Sequence, residues 1–138
     1  MRQIDKIILH CTATPWQREV DIEEVRRWHT QGNNWSDVGY HYLIQLDGSL
    51  QAGRSLDVQG AHTRGENARS IGVAYVGGLL EDGAAGDTMS PEQEETFEHL
   101  VFSLQMALCK PLDLAGHNEY AAKACPGFDV REKFAHLL

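Results

Sequence analysis

The residues of this chain that could do chemistry lie close together near one end, between Gly116 and Asp129. Within nine residues this segment carries His117, Lys123 and Cys125. Imidazole nitrogen and thiolate sulfur are both good zinc ligands, and the lysine places a positive charge beside them. Two ligands do not make a metal site, so a third must come from elsewhere. His10, at the end of an apolar run, is the first candidate.

Strand geometry favours His10 over its neighbour Cys11 as that third ligand. Side chains alternate between the two faces of a strand, so Cys11 should point into the core if His10 faces a cleft. Pro126 biases Cys125 towards an extended backbone, which would project Lys123 and Cys125 to the same side. The simpler interpretation is also open, because single histidines and cysteines are commonly buried or surface residues without a metal.

The other histidines are interpreted as structural or are left undecided. His29 falls on the apolar face of a predicted helix, and His99 and His136 lie in helices without a partner at ligand spacing. Tyr40 and His41 are adjacent in a predicted strand and therefore face opposite ways. At most one of these two side chains can reach the site.

The elements that would position these residues alternate along the chain. The pattern of apolar residues, caps and turns predicts strands over residues 4–10, 39–45, 49–52, 70–76 and 113–115. It predicts helices over residues 21–29, between Ser90 and Pro111, and over 130–137. It also predicts a hairpin turn at Asp47-Gly48 and a capping box of Ser90 and Gln93 at the start of the second helix. Interleaved strands and helices indicate an α/β fold with one central sheet covered by helices.

Composition limits the domain count and the class of partner. With 138 residues, the chain suits a single domain over 1–138. A net charge of −8 argues against general nucleic-acid binding and against a basic membrane-surface protein. The apolar run 7–9 is too short for a signal peptide or a membrane span, so we expect synthesis in the cytoplasm. Three cysteines, an odd number, do not suggest a disulfide framework.

A set of short motifs, spread in order over nearly the whole chain, is shared with one enzyme family. The motifs are Ile8-Leu9-His10-Cys11-Thr12-Ala13-Thr14, Val38-Gly39-Tyr40-His41-Tyr42, Asp47-Gly48, Ala52-Gly53-Arg54, Gly60-Ala61-His62, Ser70-Ile71-Gly72-Val73, Val76-Gly77-Gly78 and the segment from Gly116 to Asp129. With them the sequence resembles the zinc-dependent N-acetylmuramoyl-L-alanine amidases of type 2, a family that includes the animal peptidoglycan recognition proteins.

The resemblance implies a fold and a role for each matching residue. The implied fold is a mixed central sheet flanked by helices, with one zinc ion at the floor of a surface groove. The implied zinc ligands are His10, His117 and Cys125, and the implied catalytic residues are Tyr40 and Lys123. The implied substrate groove is lined by His62 and, from the loop that follows, by Arg64 and Asn67.

The resemblance also implies a reaction and a setting. The reaction is hydrolysis of the amide between N-acetylmuramic acid and the L-alanine of the peptidoglycan stem peptide. The expected setting is that of a phage or prophage endolysin, a monomer that reaches the cell wall through a holin. Some phage members also inhibit an RNA polymerase, in part through an N-terminal extension. Only nine residues precede His10, so we do not carry that role over.

Three other classes of function stay open at the level of sequence. A non-catalytic peptidoglycan-binding module could share the fold, although such proteins typically lack the cysteine ligand. A cysteine hydrolase could use Cys11 or Cys125 as its nucleophile with a histidine base. A regulatory binding protein is the third. The acid that protonates the leaving amine is also undecided between Tyr40 and the zinc-activated water.

Overall fold

The computed structural model describes residues 1–138 as seven strands, three α-helices and several short helical turns. The strands are β1 Lys6–Cys11, β2 Thr14–Pro15, β3 Tyr42–Ile44, β4 Leu50–Ala52, β5 Ser70–Tyr75, β6 Gly78–Leu79 and β7 Asp113–Gly116. The α-helices are α1 Ile22–Arg27, α2 Pro91–Leu108 and α3 Val130–Lys133. The turns are a π-helical turn at Trp28–Gly32 and 3-10 turns at Asn67–Arg69, His117–Glu119 and Ala135–Leu137.

Five of the strands form one mixed sheet in the order β4-β3-β5-β1-β7. Strands β1, β3, β5 and β7 run parallel to one another, and β4 is the antiparallel edge, joined to β3 by the predicted Asp47-Gly48 turn. Strands β2 and β6 make a separate parallel pair. The α/β fold with a mixed central sheet is therefore confirmed.

Both faces of the sheet are buried, which explains why β1 and β5 are almost continuously apolar. The larger core lies between the sheet and helices α2 and α3, and it includes Leu9 and Cys11. The smaller core lies between the sheet and α1, and it includes Val25 and Leu43. As strand parity predicted, Cys11 points into the core while His10 points to the opposite face.

Helix α2 begins with the predicted capping box, and Gln93 of that box also ties the helix to the sheet. The Ser90 side chain accepts from the Gln93 N–H, and the Gln93 side chain accepts in return from the Ser90 N–H. The buried Gln93 amide also donates to the carbonyl oxygens of Val76 at 3.0 Å and Ile44 at 3.4 Å. This contact fixes the helix start against the ends of two central strands.

Three predicted elements are shorter or more irregular in the structure. The strand predicted over 39–45 is regular only at Tyr42–Ile44, because the Gly39 N–H donates to Nδ1 of His29 instead of to a strand. The helix predicted over 21–29 continues past Arg27 as the π-helical turn. The closing helix predicted over 130–137 is divided into α3 and a 3-10 turn.

Candidate metal centre

His10 lies at the carboxyl end of β1, where three other aromatic rings surround it. Its side chain is 1% exposed. Its ring centroid lies 4.6 Å from that of His117, 4.9 Å from that of His62 and 5.0 Å from that of Tyr40. These are ring-contact distances, so His10 is at the centre of a cluster drawn from four separate segments of the chain.

The stretch around Lys123 and Cys125 turns and is not extended, contrary to the sequence prediction. His117 directly follows β7 and begins a 3-10 turn, and the Lys123 N–H donates to the Ala121 carbonyl at 2.8 Å. The segment is closed on itself because the Asn118 N–H donates to the Cys125 carbonyl at 2.8 Å. The backbone therefore turns here, and the side chains do not alternate as they would in the extended chain that was expected to project Lys123 and Cys125 to the same side.

Anchors outside the segment hold Cys125 in place. The hydroxyl of buried Tyr75, at the end of β5, donates to the Pro126 carbonyl at 2.6 Å. The Cys11 N–H donates to the sulfur of Cys125 at 3.1 Å. A backbone N–H aimed at sulfur stabilises the thiolate, the form in which cysteine binds a metal.

His10, His117 and Cys125 form a group suited to one metal ion. Each offers one ligand atom, and these atoms all lie within 4.8 Å of one another. A tetrahedral zinc ion, with bonds of about 2.0–2.3 Å, holds its ligand atoms roughly 3.3–3.7 Å apart. The two imidazoles and the thiol would have to approach by about 1 Å at most to share such an ion, and this donor set is one that zinc prefers.

A surface cavity of about 380 Å³ opens beside this group. The predicted residues that line it are His62, Arg64, Asn67, His117 and Lys123. Its other lining residues are Trp35, Ala61, Thr63, Tyr120 and Ala121. The structure thus places one candidate ligand, a candidate catalytic lysine and all three predicted groove residues on one cavity.

Comparison with known proteins identifies the family. Residues 1–128 match the sequence profile of the N-acetylmuramoyl-L-alanine amidases. The chain belongs to this family. The amidase is 39% identical over 127 residues to the endolysin of Escherichia phage T7, an alignment that covers 92% of this chain and 83% of the phage protein.

Solved structures agree with this assignment. The N-acetylmuramoyl-L-alanine amidase LysC from Clostridium intestinale has a TM-score of 0.79 and 25% identity, covering 97% of this chain and 87% of its own. PGRP-SA from bumblebee has a TM-score of 0.82 and 26% identity, covering 100% and 84% respectively. The resemblance predicted from the sequence motifs is confirmed. None of the helices has the length and apolar character needed to cross a membrane.

Burial keeps the histidines of the site neutral. Burial lowers the pKa of His10 well below its usual value, and the neighbouring His62, His117 and Lys123 lower it further. Burial also lowers the pKa of His62 to about 3, and burial followed by the Lys123 charge lowers the pKa of His117. Neutral imidazole is the form that binds a metal, so no proton has to leave these rings at neutral pH.

The Cys125 thiol and the Tyr40 hydroxyl are both held in their protonated forms. The side chain of Cys11 and then burial raise the pKa of Cys125 by more than the Cys11 N–H lowers it, so a metal ion must displace the proton of the thiol. Burial first, and then nearby Cys125 and Cys11, raise the pKa of Tyr40. The amidase therefore keeps Tyr40 as a hydroxyl donor throughout the neutral range.

Other side chains near the site have structural partners. The side-chain Oδ1 of Asn67 accepts from the His62 and Thr63 N–H groups, both at 2.9 Å, and so shapes the loop that carries them. Glu119 forms an ion pair with Arg131 at 2.6 Å and accepts from a backbone N–H, so it is not a free base. Sequence reasoning passed over Thr63, which lies within hydrogen-bond distance of both His10 and His62.

The remaining histidines lie outside the metal group. His29 accepts from Gly39 N–H at 2.8 Å, which agrees with its interpretation as structural. His136 contacts Glu98 on α2, a pairing that its sequence position did not suggest. His41 faces away from Tyr40: its Nδ1 accepts from the Gly72 N–H at 3.0 Å, and its Nε2 lies 2.8 Å from the Val58 carbonyl.

His41 should make the stability of the metal-free amidase depend on pH. Burial lowers the pKa of His41 to about 4, whereas an unfolded histidine titrates near ~6.5. Between these values the unfolded state binds the extra proton, so the free energy of unfolding should fall as pH drops from about 6.5 towards 4. The His41 contribution amounts to roughly 3 kcal/mol over that range.

Urea unfolding of metal-free protein at pH 7, 6 and 5 measures this slope. The variant His41→Gln cannot titrate, and its stability should depend less steeply on pH. Equal slopes for the two proteins would show that His41 is not the group responsible.

Proposed function

We propose that this amidase uses one zinc ion, held by His10, His117 and Cys125, to cleave the amide between N-acetylmuramic acid and L-alanine in peptidoglycan. The observation that carries the proposal is the convergence of two neutral imidazoles and a thiol within 4.8 Å of one another, beside a cavity that also presents Lys123. A zinc ion with three protein ligands would polarise the amide carbonyl and make water a nucleophile at neutral pH.

Lys123 and Tyr40 would stabilise the negative charge that grows on the carbonyl oxygen during attack. Lys123 is exposed on the cavity wall and already influences the pKa of His10, His117 and Cys125 by its charge. Tyr40 packs against the His10 ring at 5.0 Å and keeps its O–H proton. A fixed donor at the developing oxyanion is typically worth ~100- to 1,000-fold in rate.

The lysine also compensates for the cysteine ligand. A Cys125 thiolate would cancel one of the two positive charges of zinc and leave the centre less electrophilic than one built from histidines alone. The Lys123 ammonium restores part of the lost positive field in the place where the substrate carbonyl must lie. Tyr40 remains one of the candidates for the acid that protonates the leaving amine.

The cavity would hold the sugar–peptide junction of the substrate. Its volume of about 380 Å³ suits a segment of a few residues rather than a whole strand of peptidoglycan. Arg64 and Lys123 place two positive charges on its wall, which favours the carboxylates of the stem peptide. His62 and Asn67 line the same cavity and would contact the substrate there.

Charge reversal at Arg64 should weaken substrate binding and leave the chemical step largely intact. Because Arg64 is exposed, we expect Arg64→Glu to raise KM for soluble muropeptides about 10-fold while kcat changes little. Steady-state kinetics measures both constants. Arg27→Glu, an exposed arginine outside the cavity, is the matched control. An unchanged KM in Arg64→Glu would exclude a role for Arg64 in substrate binding.

The biological setting that we propose is lysis of a bacterial host by a phage or prophage endolysin. The identity to phage endolysins over most of both chains supports this setting. We propose a monomer that gains access to the cell wall through a holin. Inhibition of an RNA polymerase is not part of the proposal.

Elemental analysis combined with mass spectrometry of digested peptidoglycan tests the function directly. We expect one zinc per chain and products cut between muramic acid and L-alanine. Chelation should abolish the cleavage, and added zinc should restore it. A cysteine hydrolase would instead survive chelation and be lost to iodoacetamide, and a non-catalytic module would bind sacculi without releasing stem peptide. Either result would overturn the proposal.

A further inference from the structure

We infer that His62 is a positioning residue that, together with Ser70, orients His10 so that Nδ1 of His10 is its metal-binding atom. The inference rests on the proposed zinc function and adds to it, because neither the cluster geometry nor the family motifs say which ring nitrogen binds. In addition to lining the cavity, His62 would then orient the ring of a metal ligand.

A buried chain of hydrogen bonds leads from His10 into the protein. His10 Nε2 lies 2.8 Å from His62 Nδ1, and His62 Nε2 lies 3.3 Å from the Ser70 hydroxyl. The Ser70 hydroxyl lies 2.8 Å from the Glu66 carbonyl oxygen. His62 is 8% exposed and Ser70 is fully buried, so water does not compete for these bonds.

The Glu66 carbonyl oxygen, the last acceptor in this series of hydrogen bonds, determines which atom donates in each of them. A carbonyl oxygen can only accept, so the single proton of the Ser70 hydroxyl points to Glu66. The Ser70 oxygen must then accept from His62 Nε2–H. A neutral imidazole carries one N–H, which leaves His62 Nδ1 as an acceptor for His10 Nε2–H. His10 therefore presents its lone pair at Nδ1, the nitrogen that remains for the metal.

The Thr63 hydroxyl agrees with this arrangement. Its oxygen lies 3.2 Å from His10 Nε2 and 3.0 Å from His62 Nδ1. It is thus a second acceptor beside the same His10 N–H. Both neighbours of His10 Nε2 can accept a proton, and this favours the Nε2–H tautomer of His10 for a second reason.

The His62 ring packs directly against the backbone of Gly72. A Cβ at Gly72, in the centre of β5, would lie 2.5 Å from Cδ2 of His62. The imidazole therefore occupies the space that the side chain of any residue other than glycine would need at position 72. The Asn67 side chain also accepts from the His62 backbone N–H at 2.9 Å. A buried strand keeps a glycine at this position, where it otherwise weakens the strand, because the ring lies against it.

The tautomers can be read directly from nitrogen-15 NMR of the metal-free protein. We expect the Nε2–H form for both His10 and His62. Loss of the acceptor in His62→Leu should shift His10 towards a mixture of tautomers, which a merely space-filling role for His62 would not cause. A wild-type His10 in the Nδ1–H form would overturn the inference.

Zinc affinity provides a second readout that does not depend on catalysis. Removing a partner that orients a metal-binding histidine typically weakens metal binding ~10- to 100-fold, which we expect for His62→Leu in competition with a chelator. His62→Asn keeps an oxygen near the position of Nδ1 and should recover part of this loss. His136→Leu, an exposed histidine far from the site, should bind zinc as the wild type does.

Ser70→Ala keeps the test valid if His62→Leu does not fold. It removes only the hydroxyl that accepts from His62, and loss of one such bond should weaken zinc binding ~2- to 10-fold. Ser49→Ala, which removes an exposed hydroxyl, is the control. Wild-type zinc affinity in His62→Leu, or in Ser70→Ala should His62→Leu not fold, would overturn the positioning role alone. Absence of zinc from the wild-type protein would instead overturn the proposed function.

Discussion

Replacing Cys125 with serine is expected to remove zinc and amidase activity together. A serine hydroxyl does not ionise near neutral pH, so it cannot replace the thiolate that the metal would draw from Cys125. The two remaining imidazoles, His10 and His117, make an incomplete site. Because a catalytic metal supplies several kcal/mol of transition-state stabilisation, activity should fall at least ~1,000-fold.

The measurement is zinc content by elemental analysis alongside the rate of release of stem peptide from sacculi. Cys109→Ser is the matched control, because Cys109 is an exposed free cysteine at the end of α2. Its zinc content and activity should equal those of the wild type. Full zinc and full activity in Cys125→Ser would show that Cys125 is not a ligand.

Replacing Tyr40 with phenylalanine is expected to separate metal binding from catalysis. The Tyr40 ring packs on His10 at 5.0 Å and on His29 at 5.3 Å, and phenylalanine preserves both contacts. Only the hydroxyl is lost. Since that hydroxyl is not a predicted ligand, zinc content should stay at one per chain, while kcat should fall ~100- to 1,000-fold.

Three measurements on the same preparation decide the role of Tyr40: zinc content, melting temperature and kcat. Tyr42→Phe is the control, because Tyr42 is a half-buried tyrosine of β3 outside the metal group. Unchanged kcat in Tyr40→Phe would exclude Tyr40 from catalysis. Loss of zinc with the activity would instead make it a structural support of His10.

Local interactions explain the parts of the fold that the sequence predicted well. The Asp47-Gly48 turn and the Ser90 capping box each depend on residues within three or four positions of one another. The alternation of side chains between the two faces of a strand is equally local, and it correctly predicted that Cys11 lies in the core and His10 on the opposite face. Patterns of this kind depend only on residues that are close in the sequence, so they can be recognised without knowledge of the fold.

Long-range contacts explain the predictions that were wrong. The strand predicted over 39–45 is regular only at Tyr42–Ile44, and the Gly39 N–H before it donates to the His29 side chain instead of to a strand. The stretch around Lys123 and Cys125 turns instead of extending, and the Pro126 that follows it is held by a bond from Tyr75, 51 residues away in the sequence. Backbone groups take the hydrogen bonds that the assembled fold offers, whatever their local propensity.

The sequence by itself determined the family, the mixed α/β architecture and the identity of the candidate ligands His10, His117 and Cys125, because motifs and strand parity are local properties. Only the tertiary structure decided how those residues are oriented. His62 lies 52 positions from His10, yet contacts it at 2.8 Å. The bond to Ser70 that directs the protons likewise forms only when the loop from His62 folds over β5. Ring orientation depends on such partners, which a single sequence does not reveal before the chain has folded.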